Sequence, residues 1–262
     1  MFSLILPTLG TRLLEFRRLL NSLVKQDGIE LELIVVAQGN FIEIKKIVND
    51  FKNILNIILI ESNEKGLSRA RNIGLSYIQG SIVVFTDDDC WYPPNIFEKI
   101  CPKIEDSQIC TFQIFDPERN ELFKNYPTVK TKHQSIFKTF KVSSIEIFIN
   151  VKDLGIENII FDESFGLGAK YPSGEENILL LDLIKKNYKI NYYPEVVVFH
   201  PITEKDFNQK DLFVKGAFLR RNFNLFSCIF LGLGFFLKKK HLVNNKMTSL
   251  FKILEGSFSY KN

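Results

Sequence analysis

The chain of 262 residues is long enough to form one large domain or two small ones. Its hydrophobic fraction of 45% and charged fraction of 24% are typical of a globular protein, and a net charge of +4 gives no reason to expect nucleic acid as a partner. None of the four cysteines belongs to a Cys-x-x-Cys pair, which disfavours a zinc site and indicates reduced thiols in a cytoplasmic protein.

The N-terminal segment, Met1 to Pro7, is typical of a buried first strand. It lacks the basic start and the long apolar run of a signal peptide. Nor is any apolar run in the chain long enough to span a bilayer. We therefore expect no spanning helix.

After this strand, strand and helix patterns alternate through the first third of the chain. Apolar residues recur at helical spacing in three segments, and runs rich in β-branched residues separate them. The predicted helices cover 11–26, 42–51 and 67–78, and the predicted strands cover 2–6, 31–37, 54–60 and 81–86. Such alternation predicts βαβ units with right-handed crossovers, in a mostly parallel sheet covered by helices on both faces.

Ligands bind to sheets of this kind beyond the carboxyl ends of the strands. Here most of those ends are small and polar; they are 7–10, 37–40, 61–63 and 87–89. Neither the Gly-x-Gly-x-x-Gly fingerprint nor a Walker A loop is present, so a nicotinamide or flavin dinucleotide is disfavoured. Any nucleotide would need another means of phosphate binding.

The segment Thr86-Asp87-Asp88-Asp89 has the strongest chemical character. Consecutive carboxylates at the end of a buried strand repel one another, and a cation normally offsets that repulsion. Mg²⁺ and Mn²⁺ prefer oxygen ligands and often bridge a carboxylate to a diphosphate, so a metal site is one interpretation. An ordinary acidic turn is the other.

The middle of the chain is less regular. Segments 109–115 and 144–151 have strand patterns, and 116–135 between them is predicted to be an exposed excursion. Two short strands are predicted further on, at 189–193 and 195–199. We expect the strands of the middle section to join the sheet in mixed directions.

Two later segments contain candidate polar side chains. Glu175 and Glu176 begin a predicted helix after a glycine-rich loop, where acidic residues complement the helix dipole without any catalytic role. His200 follows an apolar strand, and a lone histidine there is more often a structural residue than a ligand for a metal or a phosphate. The residues alone leave both roles open.

The last quarter of the chain differs in character from the rest. A predicted helix over 206–222 precedes 225–237, which is almost wholly apolar, and lysines occupy 238–240. The apolar run is about two-thirds of the length of a spanning helix. It is therefore either a buried helix or a segment at a membrane surface, with phenylalanine and leucine in the leaflet and basic residues at anionic headgroups.

Taken in order, these segments resemble the family 2 glycosyltransferases of the GT-A fold. The resemblance covers about residues 1–201, and each of its motifs is weak alone, whereas five in the correct order are specific. They are Ser3-Leu4-Ile5-Leu6-Pro7-Thr8 with Ser22-Leu23 and Gln26; Leu33-Ile34-Val35-Val36; Gly66-Leu67-Ser68-Arg69-Ala70-Arg71-Asn72-Ile73-Gly74; Asp87-x-Asp89; and Phe161-Asp162-Glu163 to Gly174-Glu175-Glu176 with Pro194-Glu195 and His200.

The resemblance implies a metal-dependent hexosyl transferase that moves a sugar from a nucleoside diphosphate to an acceptor hydroxyl, with inversion at the anomeric carbon. It implies a Mg²⁺ or Mn²⁺ cofactor that bridges the diphosphate, with Asp89 as the first candidate ligand and Asp87 and His200 as further ones. The family places its general base in a Glu-Asp pair at a helix start. This chain has two glutamates there, so Glu176 is the expected base and Glu175 the second choice.

The resemblance also assigns residues to the donor. The assigned donor-binding residues are Pro7, Thr8, Gln38, Arg71, Asp87 and Asp88. Asp87 or Asp88 would reach the ribose or a metal-bound water. Many relatives bind uracil with an aspartate after the second strand, where this chain has Gln38. UDP, GDP and dTDP sugars therefore all remain candidate donors.

We thus expect an α/β protein with a GT-A domain over 1–204, a mostly parallel mixed sheet flanked by helices, and a C-terminal helical extension over 205–262. The extension would contact a membrane surface through 225–240. The expected acceptor is a glycan or lipid-linked glycan in cell-surface polysaccharide synthesis, at the cytoplasmic face of the cell membrane.

Two alternatives remain. A sugar nucleotidyltransferase also uses carboxylates and Mg²⁺, but it needs a glycine-rich basic phosphate loop after the first strand, for which Leu9-Gly10-Thr11-Arg12 is a thin match. A non-catalytic relative that binds a nucleotide sugar is the other.

Overall fold

The computed structural model describes residues 1–132, 135–203, 207–242 and 245–261. Within these ranges, strands and helices alternate through the first half of the chain and helices alone form its end. The strands are β1 (Phe2–Thr8), β2 (Leu31–Ala37), β3 (Asn56–Glu61), β4 (Ile82–Phe85), β5 (Ile109–Asp116), β6 (Glu121–Leu122), β7 (Ile147–Asn150) and β8 (Ile190–Phe199). The helices are α1 (Leu13–Leu23), α2 (Phe41–Phe51), α3 (Leu67–Leu75), α4 (Ile96–Glu105), α5 (Ile136–Thr139), α6 (Val151–Leu154), α7 (Glu175–Lys185), α8 (Gln209–Asn222), α9 (Leu225–Lys239) and α10 (Lys246–Ser259).

One mixed sheet organises the fold. Its strand order is β3-β2-β1-β4-β7-β5-β6, and β8 pairs with the other side of β5. Strands β1 to β4 are mutually parallel and β8 is parallel to β5, whereas β7 runs antiparallel to both β4 and β5. The predicted α/β class, with a mostly parallel mixed sheet flanked by helices and a C-terminal helical region, is confirmed.

Helices cover both faces of the sheet. On one face, Phe2, Leu4 and Leu6 of β1 pack with the buried side of α1, α2 and α4. On the other face, Ile5 packs with residues of α3 and α7. Because β1 is buried from both sides, every one of its residues is buried, and this explains its continuous apolar run.

The structure corrects three predicted boundaries. Segment 144–151 is not one strand, because Ser144–Glu146 form a 3₁₀ turn and Val151 already begins α6. The strands predicted at 189–193 and 195–199 are a single strand, β8. Pro194 lies where the register between β5 and β8 shifts, and such an irregularity accommodates a residue without an amide hydrogen.

Some elements have no counterpart among the predictions. Helix α4 follows Asn95, which adopts a left-handed conformation with φ 55°, and its apolar face closes the core beside β7. Helix α10 lies beyond the apolar run and was likewise not predicted. The excursion at 116–135 includes the short strand β6, although residues 133 and 134 lie outside the described part of the chain.

The C-terminal helices pack on the sheet domain through α8. Val214, Phe218 and Leu219 join a buried cluster with Phe165 and Ile178 of the preceding domain. The boundary predicted between 204 and 205 lies outside the described residues. In the part of the chain that the structure describes, every helix falls short of the length and apolarity needed to cross a membrane.

Gly216 allows α8 and α10 to pack with their backbones in contact. A Cβ at this position would press against the carbonyl oxygen of Ile253 and lie 2.9 Å from the amide nitrogen of Ser257. Because backbone atoms cannot move aside easily, we expect Gly216→Ala to lower the free energy of unfolding by about 2–3 kcal/mol, as measured by urea denaturation.

Gly234→Ala is the matched control on α9. Apart from the chain neighbours of Gly234 and the backbone of its own helix, no atom of the described residues lies within 4 Å of a Cβ built there. Alanine should therefore stabilise the helix by ~0.5–1 kcal/mol. Equal stability of the two variants would contradict the close packing of α8 on α10.

Candidate active site

The three consecutive aspartates lie just beyond the end of β4, beside the carboxyl end of β1. Asp88 and Asp89 share Arg12 as a partner, and each of the three also contacts a residue that the others do not. Asp88 is directed inward, where it accepts a hydrogen bond of 2.6 Å from the hydroxyl of Thr8. Its other oxygen lies 2.8 Å from Nε of Arg12. Burial raises the pKa of Asp88, and the hydrogen bond from Thr8 and the charge of Arg12 offset part of that rise.

Asp89 lies beside His200 at the open side of the site. One carboxylate oxygen of Asp89 is 3.3 Å from Nε2 of His200, and the other pairs with Arg12. Burial alone would raise the pKa of Asp89, but the hydrogen bond and charge of His200, together with Arg12, lower it overall. The same contact raises the pKa of His200 despite its burial.

The ring of His200 has a defined orientation. Its Nδ1 lies 2.7 Å from the carbonyl oxygen of Pro201, which can only accept, so Nδ1 donates its proton there. Nε2, which faces Asp89, carries the second proton when the ring pairs with that carboxylate as an imidazolium, and it is unprotonated in the neutral ring. A carboxylate oxygen and a free ring nitrogen at one open edge fit a divalent cation that takes its other ligands from a diphosphate and water. Among the described residues, no third His, Cys, Asp or Glu completes such a cluster.

Arg71 connects the aspartates to α7. Its side chain has no exposed surface, and one terminal nitrogen donates to the hydroxyl of Ser144 at 2.8 Å and to Asp87 at 3.3 Å. The other terminal nitrogen donates to Glu175 at 3.1 Å. Burial raises the pKa of Asp87, and the charge of Arg71 offsets part of the rise. Arg71 is fully buried and reaches the site through Asp87. Its predicted contact with the donor stays a prediction.

Glu175 and Glu176 occupy the first turn of α7. The helix is preceded by its capping residue Gly174, whose φ of 96° is a backbone conformation that favours glycine. While Glu175 turns inward to Arg71, Glu176 is half-buried and lines a cavity of about 270 Å³ between α7, α8 and α9. Burial and the neighbouring charge of Glu175 raise the pKa of Glu176 to about 8. A carboxyl group with a pKa near neutrality is suited to general base chemistry.

The residues assigned to donor binding line the ends of β1 and β2. Pro7 and Thr8 are the last two residues of β1, and the hydroxyl of Thr8 also accepts the amide hydrogen of Gly10. The amide nitrogen of the Gln38 side chain donates to the carbonyl oxygens of Glu64 and Gly66, at 2.6 and 3.2 Å. Only the side-chain oxygen of Gln38 is thus left for a ligand.

The structure adds residues that the resemblance to family 2 glycosyltransferases did not assign to the site. Arg12, in the loop after β1, pairs with both Asp88 and Asp89, and Arg18 donates to the carbonyl oxygen of Asp89 at 3.0 Å. One sequence feature could have identified Arg12 as a site residue: it is a basic residue in a loop at the carboxyl end of a strand. Lys215 lines the cavity beside Glu176 and had no local signal, since α8 joins the site only through tertiary packing.

Sequence comparison places the chain among glycosyltransferases. The profile of one family, described as Glycosyl transferase family 2, matches residues 3–154. GlyA, a glycosyltransferase of Streptococcus pneumoniae, is 34% identical over 93 residues, which are 35% of this chain and 13% of GlyA. TarS, a poly(ribitol-phosphate) beta-N-acetylglucosaminyltransferase of Staphylococcus aureus, is 36% identical over 92 residues, which are 34% of this chain and 16% of TarS. The chain thus aligns with less than a fifth of either relative.

A solved structure extends the likeness over the whole fold. The crystal structure of S. aureus TarS 1–349 in complex with UDP-GlcNAc matches with a TM-score of 0.66 at 19% identity, and the match covers 99% of this chain and 73% of that one. This match confirms the predicted GT-A fold. Because the family profile covers more than half of the sequence, the chain belongs to glycosyl transferase family 2.

Proposed function

We propose that this family 2 member transfers a hexosyl group from a nucleoside diphosphate to an acceptor hydroxyl, with inversion at the anomeric carbon, in the synthesis of a cell-surface polysaccharide. The observation that carries the proposal is the buried link from Asp87 through Arg71 to Glu175. This link holds Glu176 at a fixed place relative to the aspartates, as a single displacement between two substrates requires.

The donor would lie along the ends of β1, β2 and β4. Because the amide hydrogens of Gln38 are already used, Gln38 offers an acceptor oxygen, which suits an N–H of a base such as uracil. Pro7 and Thr8 would contact the base and ribose. A UDP sugar is the first candidate, since the TarS fragment with the same fold was solved with UDP-GlcNAc.

Asp89 and His200 are the residues that would hold Mg²⁺ or Mn²⁺, with Asp87 nearby. When bound, the cation would neutralise the diphosphate and stabilise it as a leaving group. Asp88 is tied to Thr8 and so would shape the pocket floor rather than face the diphosphate.

Glu176 would take the proton of the acceptor hydroxyl as that oxygen attacks the anomeric carbon. Its raised pKa, about 8, makes it a stronger base than an exposed glutamate. The transition state has oxocarbenium character, so the nearby carboxylates also stabilise it electrostatically. Glu175 is the second choice, but its oxygen is engaged by Arg71.

The C-terminal helices would rest on a membrane surface. On α9, Phe226, Phe230, Leu233 and Leu237 recur at helical spacing and are exposed by 87%, 77%, 39% and 59%. Cys228, Gly232 and Phe236 on the opposite side are buried, so the exposed residues form one continuous apolar stripe. Lys238 and Lys239 follow, where they would meet anionic headgroups at the cytoplasmic leaflet.

The reaction class is tested with Mn²⁺ and a panel of UDP-, GDP- and dTDP-sugars. We expect release of a nucleoside diphosphate and metal-dependent thermal stabilisation by one of the donors, because a cation held by Asp89 and His200 would neutralise the diphosphate and favour its binding. Asp89→Asn should weaken metal-dependent binding of that nucleotide by at least about tenfold. Asp50→Asn, an exposed residue on α2, is the control.

The alternatives give different outcomes in the same assay. Formation or consumption of pyrophosphate would indicate a sugar nucleotidyltransferase. Donor binding without release of any product, in the presence of varied acceptors, would indicate a non-catalytic relative.

The role of Glu176 is tested with Glu176→Gln. We expect transfer to fall by about 10²–10⁴-fold with unchanged donor binding, since the base is lost. In the wild-type enzyme, activity should rise with pH through the pKa of Glu176, about 8. Glu175→Gln is the comparison; it should lower stability, because the neutral amide no longer balances the charge of buried Arg71.

Stability provides a second readout for the same variant. A folded-state pKa above the usual 4.5 means that the folded protein binds the proton more tightly, so wild-type stability falls as pH rises from about 4.5 to about 8. Glu176→Gln removes that loss. The free energy of unfolding of the variant minus that of wild type should therefore be ~1–3 kcal/mol larger at pH 8.5 than at pH 4.5. A variant that is fully active, or whose stability difference does not change with pH, would contradict the assignment.

Membrane contact is tested by vesicle sedimentation. The double variant Phe226→Ser with Phe230→Ser should bind vesicles of phosphatidylcholine and phosphatidylglycerol at least about tenfold more weakly than wild type, because two large apolar side chains are lost. Leu14→Ser, at a residue on α1 that is 81% exposed, is the control. Equal binding by all three proteins would refute the contact.

A further inference from the structure

The cavity beside Glu176 is formed largely by the C-terminal helices. Its volume is about 270 Å³, and Glu176 and Asn177 of α7 face Lys215 and Phe218 of α8 and Phe235 of α9 across it. The donor side of the site, at Asp87 to Asp89, contributes none of these residues. The cavity therefore adjoins the proposed base from the side of the tail.

Lys215 is the basic side chain in this cavity. Its Nζ lies 4.2 Å from the ring centroid of Phe218, 4.9 Å from that of Phe140 and 5.4 Å from that of Phe235. Among the described residues, these rings are its near neighbours and no oxygen lies within hydrogen-bond distance of its ammonium. Burial lowers the pKa of Lys215 to about 8, although the charge of Glu176 opposes that effect. A half-buried ammonium group without an oxygen acceptor gains strongly from an anionic one.

The other acidic residue at the cavity is already engaged. The carboxylate of Asp211 accepts the backbone amide hydrogen of Asn208 at 2.8 Å and so closes the cap of α8. Glu176 is the proposed base and must stay free for the acceptor hydroxyl. The oxygen partner of Lys215 would then come from the substrate.

We propose that this cavity is the acceptor site and that Lys215 binds a carboxylate or phosphate of the acceptor, so that the enzyme glycosylates an acidic glycan. The proposal rests on the proposed function, because it places the acceptor hydroxyl against Glu176. Phe235, which is half-buried at the cavity, offers apolar surface to the C–H face of a sugar ring. The tail is thus part of the active site.

Protection of Lys215 from acetylation tests the site without any turnover. The wild-type protein is treated with the N-hydroxysuccinimide ester of acetic acid, and labelling of each lysine is followed by mass spectrometry. Methyl β-D-glucuronide or glucose 6-phosphate should slow labelling of Lys215 by about threefold or more, since its ammonium becomes paired. Lys210, exposed on the same helix, is the internal control.

Each comparison probe decides one part of the proposal. Protection by the glucuronide alone identifies a carboxylate, and protection by the sugar phosphate alone identifies a phosphate. Equal protection by methyl β-D-glucopyranoside would overturn the acidic class. Equal protection by acetate or inorganic phosphate would overturn the sugar site and leave only an anion site.

Kinetics with the protecting sugar acid as acceptor provide the second test. Lys215→Met should raise the KM for that acceptor by at least about tenfold and leave the affinity for the donor nucleotide unchanged, because only the acceptor contact is lost. Lys215→Arg should restore most of the wild-type KM, and Lys210→Met should have no effect. An unchanged KM in a folded Lys215→Met variant would overturn the proposal.

The two proposals fail differently. Absence of transfer from every donor, with protection of Lys215 intact, would refute the proposed function and leave a binding site for sugar acids. Transfer with unprotected Lys215 would refute the acidic acceptor alone.

Discussion

A buried guanidinium holds the site together. Arg71 has no exposed surface, and moving its charge from water costs several kcal/mol unless good partners replace the water. Those partners are Asp87, Ser144 and Glu175, which belong to segments far apart in the sequence. Each partner must be in place for the buried charge to be tolerated. Burial of Arg71 therefore requires that three segments come together: the end of β4, the turn before β7 and the start of α7.

Cationic side chains also explain how three adjacent aspartates can lie close together. Each of the three carboxylates has a cationic partner: Arg71 for Asp87, Arg12 for Asp88, and protonated His200 together with Arg12 for Asp89. The repulsion expected from the sequence is therefore already offset in the protein itself. Arg71 is fixed by burial, whereas Arg12 keeps 48% of its side chain exposed and can move when a ligand brings its own charges.

The sequence predicted what local periodicity governs, and it missed what tertiary packing decides. Alternating patterns indicated β1 to β4, the helices between them and the position of the aspartates at a ligand-binding edge. They also predicted mixed directions for the strands of the middle section, but not that β7 is the strand that runs antiparallel, because direction depends on pairing with β4 and β5 rather than on its own residues. Lys215 was missed for the same reason. Its place in the site depends on the aromatic rings and the glutamate around it, which only tertiary packing brings together.

Helix α9 exposes one face and buries the other, and the two faces serve different proposed roles. Phe226 and Phe230 point to solvent, whereas Phe235 turns inward to the cavity that Glu176 also lines. A helix is only about 10 Å across with its side chains. If the exposed face lies on a lipid surface, the cavity lies within about one helix diameter of that surface, which is where a lipid-linked acceptor presents its first sugars. Helix α9 would then both hold the enzyme at the membrane and fix the distance between the membrane surface and the acceptor cavity.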